Sequence, residues 1–301
     1  MFRDDWFTWY FDNIERGSKS SLNSKFRIEL RPTISRTVKS YKEELLLNAQ
    51  ATRDSFTEPL DLMFSGGGDS EVALRCYHQL KIPVNVFIFR YENNYNLFDL
   101  TTAISVCDEL NIKPKIIDFN LQKFFENDAY DIWKTGYYLN GGKLPHMKML
   151  DYLDNIPVMC GGEPYWSYVN NGWYFELGEL HHSQAFYTHT IGRRNVPDWH
   201  EFSPELAIAF TNNRYIKNLR REPPLNKEQL HVMKYIIFHS MWPEIKIRSK
   251  ATGFEGSSTK GINQSKPDFM LKFNEELGLT SNDTYFFYTE EELNQLLFVH
   301  K

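Results

Sequence analysis

The sequence predicts an α/β fold, a parallel doubly wound sheet with a helical C-terminal region. Three observations predict it. Between residues 59 and 160, short apolar runs alternate with segments of helical spacing, the pattern of strands joined by crossover helices. The first run, Leu60 to Phe64, ends in Ser65-Gly66-Gly67-Gly68-Asp69-Ser70 and enters a segment with apolar residues at helical spacing, so it reads as strand, glycine turn, helix. From Ser203 onward the spacing is helical.

Taken in order, residues 1–57 read as a polar, helical N-terminal extension, with Leu45, Leu46 and Leu47 inside the helix Tyr41–Ala51. Residues 58–200 form the α/β domain. Val84 to Phe89 is its second strand. Asn96 to Leu110 is a helix with Leu100, Ala103, Ile104 and Cys107 on its apolar side. Lys115 to Phe119 is the third strand, and helical stretches follow over Leu121–Trp133 and Leu144–Leu153. Ile156 to Cys160 is the fourth strand. Aromatic runs on both sides of Asn170-Asn171-Gly172 predict a hairpin, since Asn-Gly fits the tight turns that join antiparallel strands. Residues 201–301 are read as helical, over Pro204–Phe210, Asn226–Trp242 and Pro267–Leu277, with a capping box at Thr289–Glu292 before Leu293 and Leu296. Between the second and third of these helices lies a loop rich in Gly, Ser and Lys that carries Arg248 and Lys250.

Composition narrows the function classes. With 42% hydrophobic and 24% charged residues the chain has material for a sizeable core. The net charge of −5, with no long basic block, disfavours non-specific nucleic-acid binding. Cys76, Cys107 and Cys160 are far apart and form no C-x-x-C, which excludes a zinc ribbon or paired redox motif and suits a reducing, cytoplasmic setting. The N-terminus lacks the basic-then-apolar order of a signal peptide, and no apolar run approaches the ~18 residues of a membrane helix.

The glycine turn carries the chemistry. A turn between strand and helix aims backbone N–H groups and a helix N-terminus at one point, a place for phosphate. Ser65 and Ser70 add hydroxyls and Asp69 adds a carboxylate suited to magnesium. No Gly-Lys-Ser/Thr follows, so this is not a Walker loop, and contiguous glycines are not the dinucleotide G-x-G-x-x-G. In parallel sheets ligands bind at the carboxyl ends of strands, where Ser65–Ser70, Arg90–Tyr95 and Gly161–Glu163 are expected to converge.

Ser65-Gly66-Gly67-Gly68-Asp69-Ser70 resembles the S-G-G-x-D-S signature of the PP-loop ATP pyrophosphatases, whose members share the HUP-like fold of the adenine nucleotide alpha hydrolases. Further segments resemble the synthetase domain of asparagine synthetases and β-lactam synthetases. Phe202 to Phe210 is similar to their P-F-L-D-x-x-L-v-e-f-A segment; Lys234–Ile237 and Trp242-Pro243-Glu244-Ile245 to the helix and L-P-x-x-I; Arg248-Ser249-Lys250 to R-x-K; and Lys250 to Ser258 to the β-lactam synthetase loop. The resemblance spans residues 58–262. It implies cleavage of ATP between the α and β phosphates, with Mg2+, adenylation of an acceptor oxygen, and displacement of AMP by ammonia or an amine. It implies a phosphate cradle of Ser65, Gly66, Gly67, Gly68 and Ser70, a first magnesium ligand in Asp69, charge stabilisation by Lys250 assisted by Arg248, and adenine beside the backbone of Phe87 to Phe89.

Two departures matter. Asparagine synthetases carry a glutaminase domain that begins Met-Cys, whereas here Phe2 follows Met1, so nitrogen is expected from ammonia, an amine or a separate amidotransferase partner. The family's G-[DE]-G-x-D-E segment reads Gly161-Gly162-Glu163-Pro164-Tyr165-Trp166, leaving Glu163 as the stand-in second metal ligand. Glu176 and Glu179 are further carboxylates beside the hairpin. His181 and His182, read as strand neighbours, would face opposite ways. The rival readings are modification of a nucleic-acid base by the same activation, drawing on Arg193-Arg194 and Arg214–Arg221 as a basic patch or on Cys160 as a sulfur carrier, and a non-catalytic nucleotide-binding module.

Overall fold

The computed structural model describes residues 7–21, 24–30, 34, 36–135, 142, 144–160, 165–169, 172–177, 179–196, 199–200, 203–218, 227–248, 268–277 and 284–289. Lys250, Glu163 and the helix expected after Thr289 lie outside them.

The centre is a four-stranded, all-parallel sheet of β4 (Leu60–Met63), β5 (Asn85–Tyr91), β6 (Lys115–Phe119) and β7 (Ile156–Met159), in the order β6-β5-β4-β7. The expected α/β architecture is present. Alternation along the strands sends side chains into two separate cores. Leu60, Leu62, Val86, Ile88, Ile156 and Val158 face one, with α1 (Tyr41–Ser55), α2 (Gly68–Gln79) and α3 (Leu97–Glu109). Phe87, Phe89, Tyr91, Phe119 and Met159 face the other, with α4 (Leu121–Asn127), α5 (Ala129–Thr135) and α6 (Leu144–Met149). Each large apolar side chain so buried contributes about 1.5–3 kcal/mol. A sheet covered on both faces explains why these strands are apolar at nearly every position.

Among the buried residues of these strands one polar group breaks that pattern. Asp61 is fully buried, yet it accepts from Asn85 Nδ2 at 2.8 Å and from the Asn155 backbone N–H at 2.9 Å. It thereby ties the starts of β4, β5 and β7 together. Buried carboxylates persist when their oxygens are satisfied in this way.

The chain leaves β4 toward β5 and β6, then returns to the other side of β4 as β7. The strand order therefore reverses at β4, and the crevice beyond its carboxyl end is the switch point where such sheets bind ligands. The glycine turn starts there. Val196 and Trp199 bond to β7, with Val196 N–H to Pro157 O at 2.8 Å and Trp199 N–H to Met159 O at 2.9 Å. This carries His200 to the same end of the sheet.

Three segments differ from the sequence reading. Residues 7–30 form an antiparallel sheet, β1 (Phe7–Phe11), β2 (Ile14–Glu15) and β3 (Phe26–Leu30), where helix was expected. Aromatic and β-branched residues in Phe7-Thr8-Trp9-Tyr10-Phe11 favour strand, and Phe11 docks on Phe186 with ring centroids 4.7 Å apart. The hairpin expected around Asn-Gly is present as β8 (Tyr165–Val169) and β9 (Gly172–Leu177), but α7 (Glu179–Thr190) follows at once, so His181 and His182 lie on a helix. The C-terminal region is not wholly helical. After α8 (Pro204–Thr211), α9 (Arg214–Asn218), α10 (Lys227–Met241) and α11 (Asp268–Glu276), Thr284–Thr289 forms β10 and pairs with β9. Thr289 is the last residue of β10, and the rest of the expected capping box lies outside the described residues. Among the described residues no helix is long and apolar enough to cross a membrane.

Candidate functional site

The turn after β4 is built by backbone demands on two of its glycines. Gly66 has φ +81°, and a Cβ there would sit 2.4 Å from the Asp99 carbonyl oxygen and 2.9 Å from the Ala103 nitrogen. Positive φ and contact with the backbone of α3 both require glycine. At Gly68 a Cβ would meet the Tyr235 ring at 2.8 Å. Gly67 is different. Its φ of −72° suits any residue, and only Ser65 Oγ, at 3.3 Å, lies near. No local fit demands glycine at 67, and the open space around it leaves the backbone accessible to close approach by a ligand.

Gly67 is the N-cap of α2 and offers no side chain to the first turn. Helix N-terminal N–H groups need partners, and some come from elsewhere in the fold. Gly67 N–H donates to Ser65 Oγ at 3.2 Å, and Gly68 N–H donates to the Tyr235 hydroxyl at 2.9 Å. Ser65 Oγ and Ser70 Oγ are 3.1 Å apart, and Ser70 Oγ donates to Gly67 O at 3.1 Å. The two hydroxyls singled out for phosphate thus stand side by side at the mouth of the turn.

Around this turn α10 brings residues that no local pattern announced. Lys234 is 3% exposed, and its Nζ donates to Asp69 Oδ2 at 2.8 Å. A buried ammonium is tolerated only with such a partner. His200, fully buried, sets Nε2 3.0 Å from the Asp69 carbonyl oxygen. Tyr235 is buried, and burial raises its phenol above the ordinary range. Arg248 Nε donates to the Tyr235 hydroxyl at 3.1 Å, and Nη2 donates to Gly66 O at 2.7 Å and to Glu71 Oε2 at 2.9 Å. Helix α10 is held in place by Ile237 and Phe238 in the core and by Trp242, whose Nε1 donates to Gln79 on α2 at 3.2 Å. Two sequence signals were available, the likeness of Lys234–Ile237 to the synthetase helix and Lys234 itself, a charge on the apolar face of a helix three and four residues before Ile237 and Phe238. Sequence separation hid its contact with Asp69.

The other expected residues are placed as follows. Phe87 and Phe89 have buried side chains in the second core. Their carbonyls already accept, from Phe64 N–H at 2.8 Å and from Asn96 Nδ2 at 2.8 Å. Cys160, half-buried, follows β7 at the ligand end of the sheet. Cys76 and Cys107 are core residues, and burial raises the Cys107 thiol to about 11. Arg193 donates to the carbonyls of Leu150 and Leu153, and Arg194 pairs with Glu58 at 2.6 Å, so both serve the fold's own connections.

The donor set fits magnesium in a particular way. Among the described residues no group of three His, Cys, Asp or Glu could cage a metal. Asp69 is one carboxylate, 20% exposed, beside two hydroxyls. Magnesium keeps most of its water and takes one or two carboxylates plus substrate phosphates, so Asp69 suits an ion carried in with a polyphosphate.

No protein-family model matches the sequence. No curated protein matches it either. Among solved structures, similarity is found to NMN synthetase from Francisella tularensis, at 19% identity and TM-score 0.31, covering 39% of this chain and 52% of that one. It is found to NH3-dependent NAD synthetase from Campylobacter jejuni subsp. jejuni, at 16% identity and TM-score 0.37, covering 66% and 83%. It is found also to the U34-tRNA thiolase NcsA from Methanococcus maripaludis, at 13% identity and TM-score 0.34, covering 78% and 72%. The chain spans about half the length of the NMN synthetase. Similarity at this level leaves reaction and substrate to be read from the chain's own side chains.

Proposed function

We propose that this chain is an ATP-dependent, AMP-forming ligase of the asparagine-synthetase-like type. The observation that carries the reading is the meeting of Asp69, buried Lys234 and the Ser65–Ser70 hydroxyl pair at the N-terminus of α2, at the switch point of a parallel sheet. Helix N-terminus, paired hydroxyls and ammonium favour a polyphosphate at this spot. The S-G-G-x-D-S pattern supports cleavage between the α and β phosphates.

In this reading an acceptor oxygen attacks the α phosphorus in line. The bond to the oxygen bridging the β phosphorus breaks, and pyrophosphate leaves with the electron pair. Ammonia or an amine then attacks the adenylated carbon and loses a proton. AMP leaves with the acceptor's oxygen. Charge grows on phosphate oxygens during the first step, where fixed cations and hydroxyls act most strongly. Lys250, two positions beyond Arg248, supplies such a cation, while Lys234 balances the charge of Asp69. Asp69 would hold magnesium, with Glu163 as the second carboxylate; the ion, when bound, neutralises phosphate charge. Adenine lies toward β5, at Phe87 and Phe89. The nitrogen comes as free ammonia, as an amine, or from an amidotransferase partner.

The test is product analysis with MgATP and pools of carboxylates and amines, using acceptor labelled with oxygen-18. Label entering AMP, with pyrophosphate released, supports adenylation of the acceptor; ADP and phosphate as products overturn it. Lys250→Ala is expected to slow pyrophosphate release about 100-fold. Unchanged release removes Lys250 from the site. Base modification through a sulfur carrier predicts that Cys160→Ser abolishes turnover. We expect Cys160→Ser to keep pyrophosphate release within about twofold, because a small half-buried thiol beside apolar residues acts as a packing group. The use of Arg193 on the backbone of Leu150 and Leu153 also disfavours a nucleic-acid substrate, and salt-dependent binding of RNA or DNA would reverse that preference.

A further inference from the structure

We propose that Glu71 is a positioning residue of the phosphate turn, acting through Arg248; the proposal rests on the reading of this turn as an ATP site. Glu71 is 1% exposed and lies in α2, two residues after Asp69. Two carboxylates at the start of a helix meant for a polyphosphate would repel it. Both are neutralised within the fold. Asp69 is paired with Lys234. Glu71 Oε1 accepts from Arg75 Nη2 at 2.8 Å and Nε at 3.0 Å, and Oε2 accepts from Arg248 Nη2 at 2.9 Å. Arg75 is held in turn by Glu109 of α3, at 3.0 Å.

The geometry assigns Arg248 a specific task. The two hydrogens of its Nη2 go to Glu71 and to the carbonyl of Gly66, the one residue of the turn with positive φ. Its Nε goes to the Tyr235 hydroxyl, which also receives the Gly68 N–H. Its guanidinium carbon stands 5.1 Å from the Tyr235 ring centroid. One guanidinium thus grips the first glycine directly and the third through Tyr235. A lysine, with its donors on one nitrogen, cannot span these three acceptors. Glu71 holds the guanidinium in that register and keeps it on the backbone of the turn. Charge for the phosphates is left to Lys250.

The test uses the full chain and two readouts. Amide hydrogen exchange of the segment 64–72, without nucleotide, reports the turn itself. The Kd for MgATP reports the site. Glu71→Gln and Arg248→Met are each expected to raise exchange and to weaken MgATP binding by about tenfold, the effect of losing one charge-assisted hydrogen bond. The double variant should add no more than about twofold to either, as for two residues acting through one contact. Glu109→Gln, which loses only the half-exposed outer end of the network, should lower Tm while both readouts stay within about twofold. Should Glu71→Gln not fold, Arg248→Met alone carries the exchange readout. Arg248→Met that weakens MgATP binding with exchange unchanged, or Glu71→Gln that binds MgATP as the wild type does, overturns the proposal. Wild-type protein that binds no MgATP refutes the ATP reading, while the exchange readout still decides whether Arg248 clamps the turn.

Discussion

Replacing Asp69 with asparagine is expected to lower pyrophosphate release by about 100- to 1,000-fold, the loss seen when one group stabilising a charged transition state is removed. The carboxylate has two tasks here. It is the one acid of the turn beside Ser65 and Ser70, and it is the counter-charge of Lys234, whose Nζ is 2.8 Å away and nearly inaccessible to water. Asparagine keeps an oxygen for Lys234 and removes the charge. Stability should therefore fall by less than the roughly 3–5 kcal/mol of a broken buried ion pair. Asp69→Ala, which leaves Lys234 with no acceptor at this position, should approach that full loss. Adding Lys234→Met to Asp69→Asn should restore Tm without restoring activity, because the apolar side chain relieves the buried charge and nothing replaces the carboxylate. Thermal melts and pyrophosphate assays on the three variants check both halves. Activity that returns with Tm would mean that Asp69 serves only the fold.

The second large effect separates two adjacent glycines. Gly66→Ala is expected to destabilise the protein by about 3 kcal/mol or more, since it combines a strained backbone with overpacking. The added Cβ would sit 2.4 Å from the Asp99 carbonyl at φ +81°, so the turn or α3 has to move. Gly67→Ala should cost about 1 kcal/mol at most, the scale of an altered helix cap, because its backbone is ordinary and its nearest neighbour is Ser65 Oγ at 3.3 Å. It should nonetheless weaken MgATP binding by about tenfold or more, because the methyl group would stand between the phosphates and the backbone at the start of α2. Equal Tm losses for the two variants would contradict this division of roles. So would full nucleotide affinity in Gly67→Ala.

Much of this was legible in the sequence where the signal is local. The strands β4 to β7 show as short apolar runs because the sheet is covered on both faces. The turn shows through its glycines, and the hairpin β8–β9 through Asn-Gly. Elsewhere distance along the chain erased the signal. Lys234 meets Asp69 across 165 residues and His200 meets it across 131, and no property of residues 227–241 or 196–200 points to residue 69. The strands β1 to β3 form a sheet that docks on α7, at Phe186. β10 pairs with β9 more than 100 residues away in sequence, so β10 too is fixed by tertiary pairing. Arg248 was read as an assistant to the chemistry from its neighbour Lys250. Its three acceptors, Gly66, Glu71 and Tyr235, come from two separate segments and could not be read from that neighbourhood.

The measurement closest to the central claim is a crystal structure of the protein with magnesium and the non-cleavable α,β-methylene analogue of ATP. The account predicts phosphate oxygens at hydrogen-bond distance, about 2.7–3.2 Å, from the Ser65–Ser70 turn, with the metal on Asp69 and the α phosphorus facing the open end of the crevice. A triphosphate bound away from residues 65–70, or none bound at saturating concentration, would contradict it.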